Sequence, residues 1–489
     1  LSPTVEHWRV FVPETLVVPD ITVRRSSAVP TACAIAFVIL VQASLAIYRT
    51  RHSYFVTDDF LNFMIYKDMG LTWKYLFRDI FGHITPLYRL VQAVMLVTNH
   101  INFAALRVLM IGTALLPTAL LILLGNRLRV PLQVSTASAL LLAALPQISQ
   151  SEFWWSNGLL VLPGLTAIFL CFWLLVGRTG AGPNHRECAL ATLAFVVGLG
   201  FYDKDLFAPV IFFGLLTSLH MRNTSVISAA WRALFDLRYI IAASIIWAIT
   251  LAVLRDPSPP APTIGVAMRF MWLAWSEATV AAMLGIGEPG RNVGGAFISG
   301  LVAEAILAAS ICWTILRGRR SDVRPVVIWA GIMVYVAVTI ALTARMRAGV
   351  FGADLGRLLR YAVEPAAFIV AGVVMASGER GRKPWLAACA IIGVAVNVMV
   401  VSDVPLLGDP IGTRAYVANL RASYAKIAGT SGVVVLDRPV PENIMPPWMS
   451  PYNVQSHFLP LLGLTQYQIA GPSTATYYID VHGSLQSRK

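Results

Sequence analysis

Residues 157–176 read NGLLVLPGLTAIFLCFWLLV, twenty positions without a charged side chain. At 1.5 Å rise per residue a helix of that length covers ~30 Å, the thickness of the hydrocarbon core of a bilayer. Stretches of the same kind recur near 30–48, 104–125, 132–147, 187–202, 206–220, 239–254, 296–316, 325–343, 361–377 and 385–402. With 157–176 they predict about eleven transmembrane helices, the pair within 187–220 being short enough to read also as a re-entrant hairpin. Composition agrees: 57% of the 489 residues are hydrophobic and 13% charged, about half the charged fraction of a soluble domain. The mean hydropathy is +0.68.

The net charge of +13 raises the question of nucleic acid, but its distribution speaks for membrane topology. GNRLR (125–129), the 177–187 loop, 220–238, RGRRSDVR (317–324) and ERGRK (379–383) are rich in Arg and Lys. PQISQSEFWWSN (146–157) carries neither, and FYDKD (201–205) sets one Lys between two Asp. This positive-inside alternation predicts a cytoplasmic N-terminus and an extracytoplasmic tail in a multi-pass plasma-membrane protein. No nucleic-acid partner is expected. The five cysteines (33, 171, 188, 312 and 389) lie in or beside apolar segments, so no disulfide framework is expected. The chain starts at Leu1, and no signal peptide with a cleavage site is read ahead of the first span.

Three parts follow from this reading: a cytoplasmic segment 1–29, a transmembrane module 30–403 and a small extracytoplasmic domain 404–489. Within the long first loop, 50–103, DDFLNFMIYKDMG, LTWKYLFRDI and PLYRLVQAVMLV read as amphipathic helices lying along the interface. A second long outer segment, 255–295, opens with DPSPPAPT and contains Trp272, Trp275 and Glu277. The tail carries a helix, TRAYVANLRASYAKIAG, and two strands, GVVVLD (432–437) and YYIDVHG (477–483), around the Pro-rich RPVPENIMPPWMSPYN. It reads as a small α/β cap.

Five places could carry chemistry. In TDDF (57–60) two adjacent carboxylates, Asp58 and Asp59, follow the first span. Either Thr57 or Asp58 caps a helix whose dipole favours Asp59, or the pair supplies a general base or a metal ligand; the readings are compatible. GHITPLYR (82–89) brings His83 and Arg89 to the same loop. In FYDKD, Asp203, Lys204 and Asp205 form either a self-neutralising cluster or a functional one. ARMRAGVFGADLGRLLRYAVEP (344–365) places Arg345, Arg347, Arg357 and Arg360 on the outer side, where lipid headgroups or a bound phosphate would balance them. On a helix Arg360 would pair with Glu364, leaving Arg357 the more available. SEFWWSNG (151–158) sets Glu152 beside Trp154 and Trp155, an aromatic belt or a sugar-binding surface. Glu304, inside an apolar span, receives no role.

VTDDFLNF, FGHITPLYRL, EFWWSNG, GFYDKDLFAPV, LLRYAVEP and LDRPVPENIMPPW, in this order of spans and loops, resemble a group of actinobacterial membrane proteins in the C-type glycosyltransferase (GT-C) superfamily. The resemblance implies an all-α polytopic fold with interface helices in the first external loop and a C-terminal outer domain. It also implies transfer of a sugar from a polyprenyl-phosphate donor to a glycan or glycolipid acceptor of the cell envelope, usually with inversion. Asp58 or Asp59 would then be the base. His83, Lys204, Arg345, Arg357 and Arg360 would surround the donor phosphate, and Arg89, Glu152, Trp154, Trp155, Asp203 and Asp205 would contact substrate. No cofactor or catalytic metal is expected, although two carboxylates could hold a divalent ion. A transporter or flippase of a lipid-linked sugar would use similar groups, but no inverted repeat or matching pair of broken helices is visible. A non-catalytic scaffold is the third reading.

Overall fold

The computed structural model describes residues 28–80, 82–99, 101–178, 182–222, 224–257, 259–285, 293–316, 323–377, 410–430, 432–464 and 467–488. The expected N-terminal cytoplasmic segment, nearly all of it, the loops 317–322 and 379–383, Cys389 and the expected span 385–402 lie outside the described residues.

Among the described residues, four helices are long and apolar enough to cross a membrane: Ala28–Thr50, Phe103–Arg127, Trp155–Val176 and Arg324–Phe351. Two bent pairs raise the number to six if each crosses as a unit: Leu132–Ala144 with Pro146–Phe153, bent by 46°, and Val226–Asp236 with Arg238–Leu254, bent by 60°. The first bend falls where Pro146 begins a new helix, the position at which proline's missing N–H costs least. Among the described residues, then, length and composition pick out four to six spans, where hydropathy along the whole sequence suggests eleven. Part of the difference is that the expected span 385–402 lies outside the described residues, and part is helix length. His185–Phe201, Pro209–His220 and Val363–Ser377 are apolar but only 17, 12 and 15 residues long. Val363–Ser377 is buried at every position but Val373, which is partly buried, so its apolar character serves packing against other helices.

The bundle core joins these helices into one apolar cluster running from Val38 to Ala376. A second cluster is built from the first loop and the tail together. Phe55 and Phe60 extend from the loop, and Phe60 meets Phe458 of the tail with ring centroids 5.0 Å apart. Tyr416 of the tail helix Pro410–Lys426 also packs on Phe458, at 6.1 Å. The tail is thus fastened to the first-loop helix Asp58–Met69 by shared core.

The tail sheet has four short strands, β1 (Val434–Leu436), β2 (Gln468–Ala470), β3 (Tyr477–Ile479) and β4 (Leu485–Ser487), in the order β2-β1-β3-β4. β1 runs parallel to β2 and β3, and β3 and β4 are antiparallel. The two strands read from sequence are β1 and β3. β2 and β4 lack a run of apolar residues, and their pairing, more than their composition, makes them strands.

Candidate functional site

A cavity of about 300 Å³ lies where the first loop, the tail and the ends of several helices meet. The first-loop helix contributes Thr57, Asp58 and Asn62, and the following turn and helix contribute His83, Tyr88 and Arg89. Trp154, Ser156 and Asn157 come from the start of Trp155–Val176, and Tyr202 and Lys204 from the FYDKD turn. Arg347 and Phe351 end the helix Arg324–Phe351, Arg360 and Tyr361 follow it, and Pro446 and Trp448 reach in from the tail.

The two adjacent aspartates do different work. Asp58 is half-buried and faces the cavity. Asp59 is fully buried, with Oδ2 accepting from the Val56 N–H at 2.9 Å and Oδ1 from the Ser156 N–H at 2.7 Å. Thr57 occupies the N-cap position but makes no side-chain capping bond, so the expected cap at Thr57 or Asp58 is replaced by the Asp59 bond to Val56. The φ of Thr57 is 21°, outside the regions that suit a residue with a Cβ. Such strain persists only where the surroundings over-determine it, and here the Asp59 clamp does so. Burial pushes the Asp59 carboxyl up to about 7, against the pull of the Val56 and Ser156 groups. Burial also raises Asp58 above the usual carboxylate range, opposed by Arg360 and Arg347.

His83 lines the cavity with its Nδ1 2.8 Å from Asp203 Oδ1. Asp203 Oδ2 takes Arg255 Nη2 at 3.2 Å, and the same nitrogen donates to the Gly82 carbonyl at 2.6 Å. Asp79 closes the corner, accepting from the Gly82 N–H at 2.6 Å and the Asp256 N–H at 3.1 Å. Asp203 therefore orients His83 from behind and leaves Nε2 as the ring nitrogen for the cavity. Burial works to raise Asp203, yet His83 and Arg255 keep its carboxyl below the usual range. Burial lowers His83 in spite of Asp203.

The cations divide in a way the linear sequence does not show. Lys204 sits 5.5 Å and 5.4 Å from the Tyr202 and Tyr361 ring centres. The Arg360 guanidinium lies 4.3 Å above the Trp154 ring and 4.9 Å from that of Tyr361. Aromatic faces hold these cations, and the charge of the buried Glu364 also acts on Lys204. Arg357 is turned elsewhere, with Nε 2.8 Å from Glu277 and Nη1 3.5 Å from Asp354. Arg345 donates to the Pro259 carbonyl at 3.0 Å, at the surface. The expectation that Arg357 would be the more available is thus reversed. Residues 353–361 form two 3₁₀ turns, with an α-helix starting only at Val363, so the i,i+4 geometry assumed for Arg360 and Glu364 does not apply.

Of the other sequence candidates, Arg89 and Trp154 line the cavity, while Glu152 and Trp155 are buried behind it. Asp205 is buried between helices, where a Cβ on Gly164 would come within 2.8 Å of its Oδ2 and one on Gly198 within 3.2 Å. Arg89 is 1% exposed and donates through Nη2 to the Arg78 carbonyl at 3.2 Å. Among the described residues, its Nε and Nη1, Tyr88 Oη, Trp154 Nε1 and Arg360 Nε have no hydrogen-bond partner. Sequence reasoning passed over Asn62, Tyr88, Asn157, Tyr202, Tyr361, Pro446 and Trp448 as site residues, and counted Arg347 only as one of a cluster. Arg345 and Arg347 are two positions apart on one helix, which at 3.6 residues per turn turns them to different faces. Nothing local says which face is inward.

No protein-family model matches the chain, and no curated protein matches it. Its structure is similar to the crystal structure of the Archaeoglobus fulgidus oligosaccharyltransferase in complex with Zn and sulfate, with 10% identity and a TM-score of 0.37. That alignment takes in 90% of this chain and 63% of the archaeal one.

Proposed function

We propose that the chain is a membrane glycosyltransferase that moves a sugar from a polyprenyl-phosphate donor to a glycan or glycolipid acceptor of the cell envelope, with inversion. The observation that carries this reading is the cavity in which one carboxylate, Asp58, shares a wall with Arg347, Arg360, Lys204 and His83. A single displacement needs one base for the acceptor hydroxyl and positive charge where the phosphate departs. Asp58 takes the hydroxyl proton as the acceptor oxygen bonds to the sugar's anomeric carbon. The bond from that carbon to the phosphate oxygen breaks, and its electron pair leaves with the phosphate. Arg347, Arg360, Lys204 and the Nε2 side of His83 meet the growing negative charge, while Asp203 holds the imidazole in place. The raised proton affinity of Asp58 makes it a stronger base than a free carboxylate. The resemblance of its motifs to GT-C proteins points the same way.

Among the described residues, no group of three or more His, Cys, Asp or Glu is placed to hold a metal ion. The displacement as drawn uses none, and activity lost to a chelator and restored by a divalent ion would revise it. The decisive test is a cell-free assay with a panel of radiolabelled polyprenyl-phosphate sugars. The wild type should transfer label from at least one donor, and Asp58→Asn should lower turnover by ~10²-fold or more while the protein stays folded. Undiminished turnover in Asp58→Asn refutes the assignment. The proposed orientation places the tail outside a plasma membrane with the N-terminus inside. A reporter active only outside should be active after residue 403 and silent in the 317–324 loop.

A further inference from the structure

The tail motif IMPPWM (444–449) has no part in the displacement just described, yet two of its residues, Pro446 and Trp448, line the reaction cavity. The motif is held firmly. Ile444, Met445 and Met449 are at most 2% exposed and belong to the core that the tail shares with the first loop. Its backbone is tied down by Ile444 and Met445 N–H bonds to the Pro441 carbonyl, both at 2.9 Å, and by Met449 N–H to the Pro446 carbonyl at 3.0 Å. Val440 N–H to the Asn453 carbonyl at 2.8 Å closes the base of the loop. Between these buried anchors the Trp448 side chain stands out, 55% exposed. Its neighbours on the turn are buried in the shared core, while Trp448 lines the cavity. Its register with Asp58 is fixed, because Phe60 on the Asp58 helix packs on Phe458 of the tail.

We infer that Trp448 is the platform of an acceptor subsite, on which a sugar ring of the acceptor glycan stacks beside Asp58. The inference rests on the glycosyltransferase reading and names what that reading leaves open, the part of the site that recognises the acceptor. An indole face at the rim of a polar cavity matches the C–H face of a pyranose or furanose ring. Asn62 and Asn157, on the same cavity, each donate one amide N–H within the protein, to the Asp58 carbonyl at 2.8 Å and to Ser151 Oγ at 2.9 Å, which leaves the amide oxygen and a second N–H for its hydroxyls. The cations assigned to the donor phosphate come from the FYDKD turn and the end of Arg324–Phe351 with the turn after it. Trp448 belongs instead to the tail. A preorganised aromatic gives contact area at little entropic cost.

Wild type, Trp448→Ala and Trp448→Phe, each purified in lipid nanodiscs and matched for melting temperature, provide the test. In the transfer assay Trp448→Ala should raise the KM for acceptor about tenfold or more, leave the donor KM unchanged, and be largely rescued by Phe. An unchanged acceptor KM, or a defect confined to the donor KM, overturns the assignment. A second readout does not need turnover: saturation-transfer NMR with a panel of free hexose and pentose oligosaccharides. Binding by the wild type that is lost in Trp448→Ala upholds the subsite even if no donor in the panel supports transfer, in which case the transferase reading alone falls. Equal binding by both proteins, or none by the wild type, removes the subsite.

Discussion

Asp59 accepts a 2.7 Å hydrogen bond from the backbone N–H of Ser156, a residue 97 positions further along the chain. With its other oxygen on Val56, this one buried carboxylate joins the start of the first-loop helix to the start of Trp155–Val176. Both walls of the cavity that carry Asp58 and Trp154 are set by it. Asp59→Ala leaves two buried N–H groups without an acceptor, at about 1–3 kcal/mol each, so the melting temperature should fall markedly and Ser156 should lose hydrogen-exchange protection. Asp59→Asn, which keeps one carbonyl oxygen, should be milder. The folded-state value of about 7 lies above the ordinary ~3.9 of an unfolded chain, so folding favours the protonated acid. Its contribution is fully present below about pH 4 and diminishes as pH rises through about 7. That slope should be smaller in Asp59→Asn; an identical pH dependence of the melting temperature in the two proteins would contradict the raised proton affinity of Asp59.

The two arginines that face Asp58 make a prediction about rate against pH. Arg360 and Arg347 pull its proton affinity down against burial. Removing one of them in Arg360→Gln should raise the affinity further and shift the acid limb of the kcat profile to higher pH. Arg345→Gln, at the surface, should leave the limb in place. A limb that moves to lower pH in Arg360→Gln would exclude Asp58 as the titrating base.

The four arginines of the 344–365 segment should separate by geometry. Arg347→Gln and Arg360→Gln should lower transfer by ~10²–10³-fold, as loss of a preorganised charge contact does. Arg345→Gln should behave like the wild type. Arg357→Gln should reduce stability by stranding Glu277, which is 11% exposed, while the donor KM stays unchanged. If all four behave alike, the cavity does not discriminate among them and lipid headgroups are the simpler explanation.

Gly164 gives a steric prediction. A Cβ there would lie 2.8 Å from Asp205 Oδ2 and 2.9 Å from Tyr202 Cβ. Gly164→Ala must move the FYDKD turn, at a cost of ~1–3 kcal/mol for overpacking. Because Tyr202 and Lys204 of that turn line the cavity, activity should fall along with melting temperature. Gly265→Ala, where a Cβ meets nothing within 4 Å, is the control, and equal effects at the two positions would refute the argument.

By itself the sequence determined the properties that are local in one dimension. Uncharged apolar runs such as 157–176 mark membrane helices because a bilayer of fixed thickness demands a fixed length. The acid pair, the FYDKD turn and the arginine-rich 344–365 segment stood out for the same reason, since charge beside apolar runs is conspicuous wherever the chain later goes. Composition could not tell a lipid-facing helix from Val363–Ser377, buried among its neighbours, because both environments select the same side chains. Nor could it choose between Asp58 and Asp59 or between Arg357 and Arg360. Those choices depend on the turn a helix makes per residue and on partners far off in the chain: Ser156 for Asp59, Glu277 for Arg357, Trp154 for Arg360. Tertiary structure alone brings Trp448 to the same cavity as Asp58, through the apolar core that the tail and the first loop bury together.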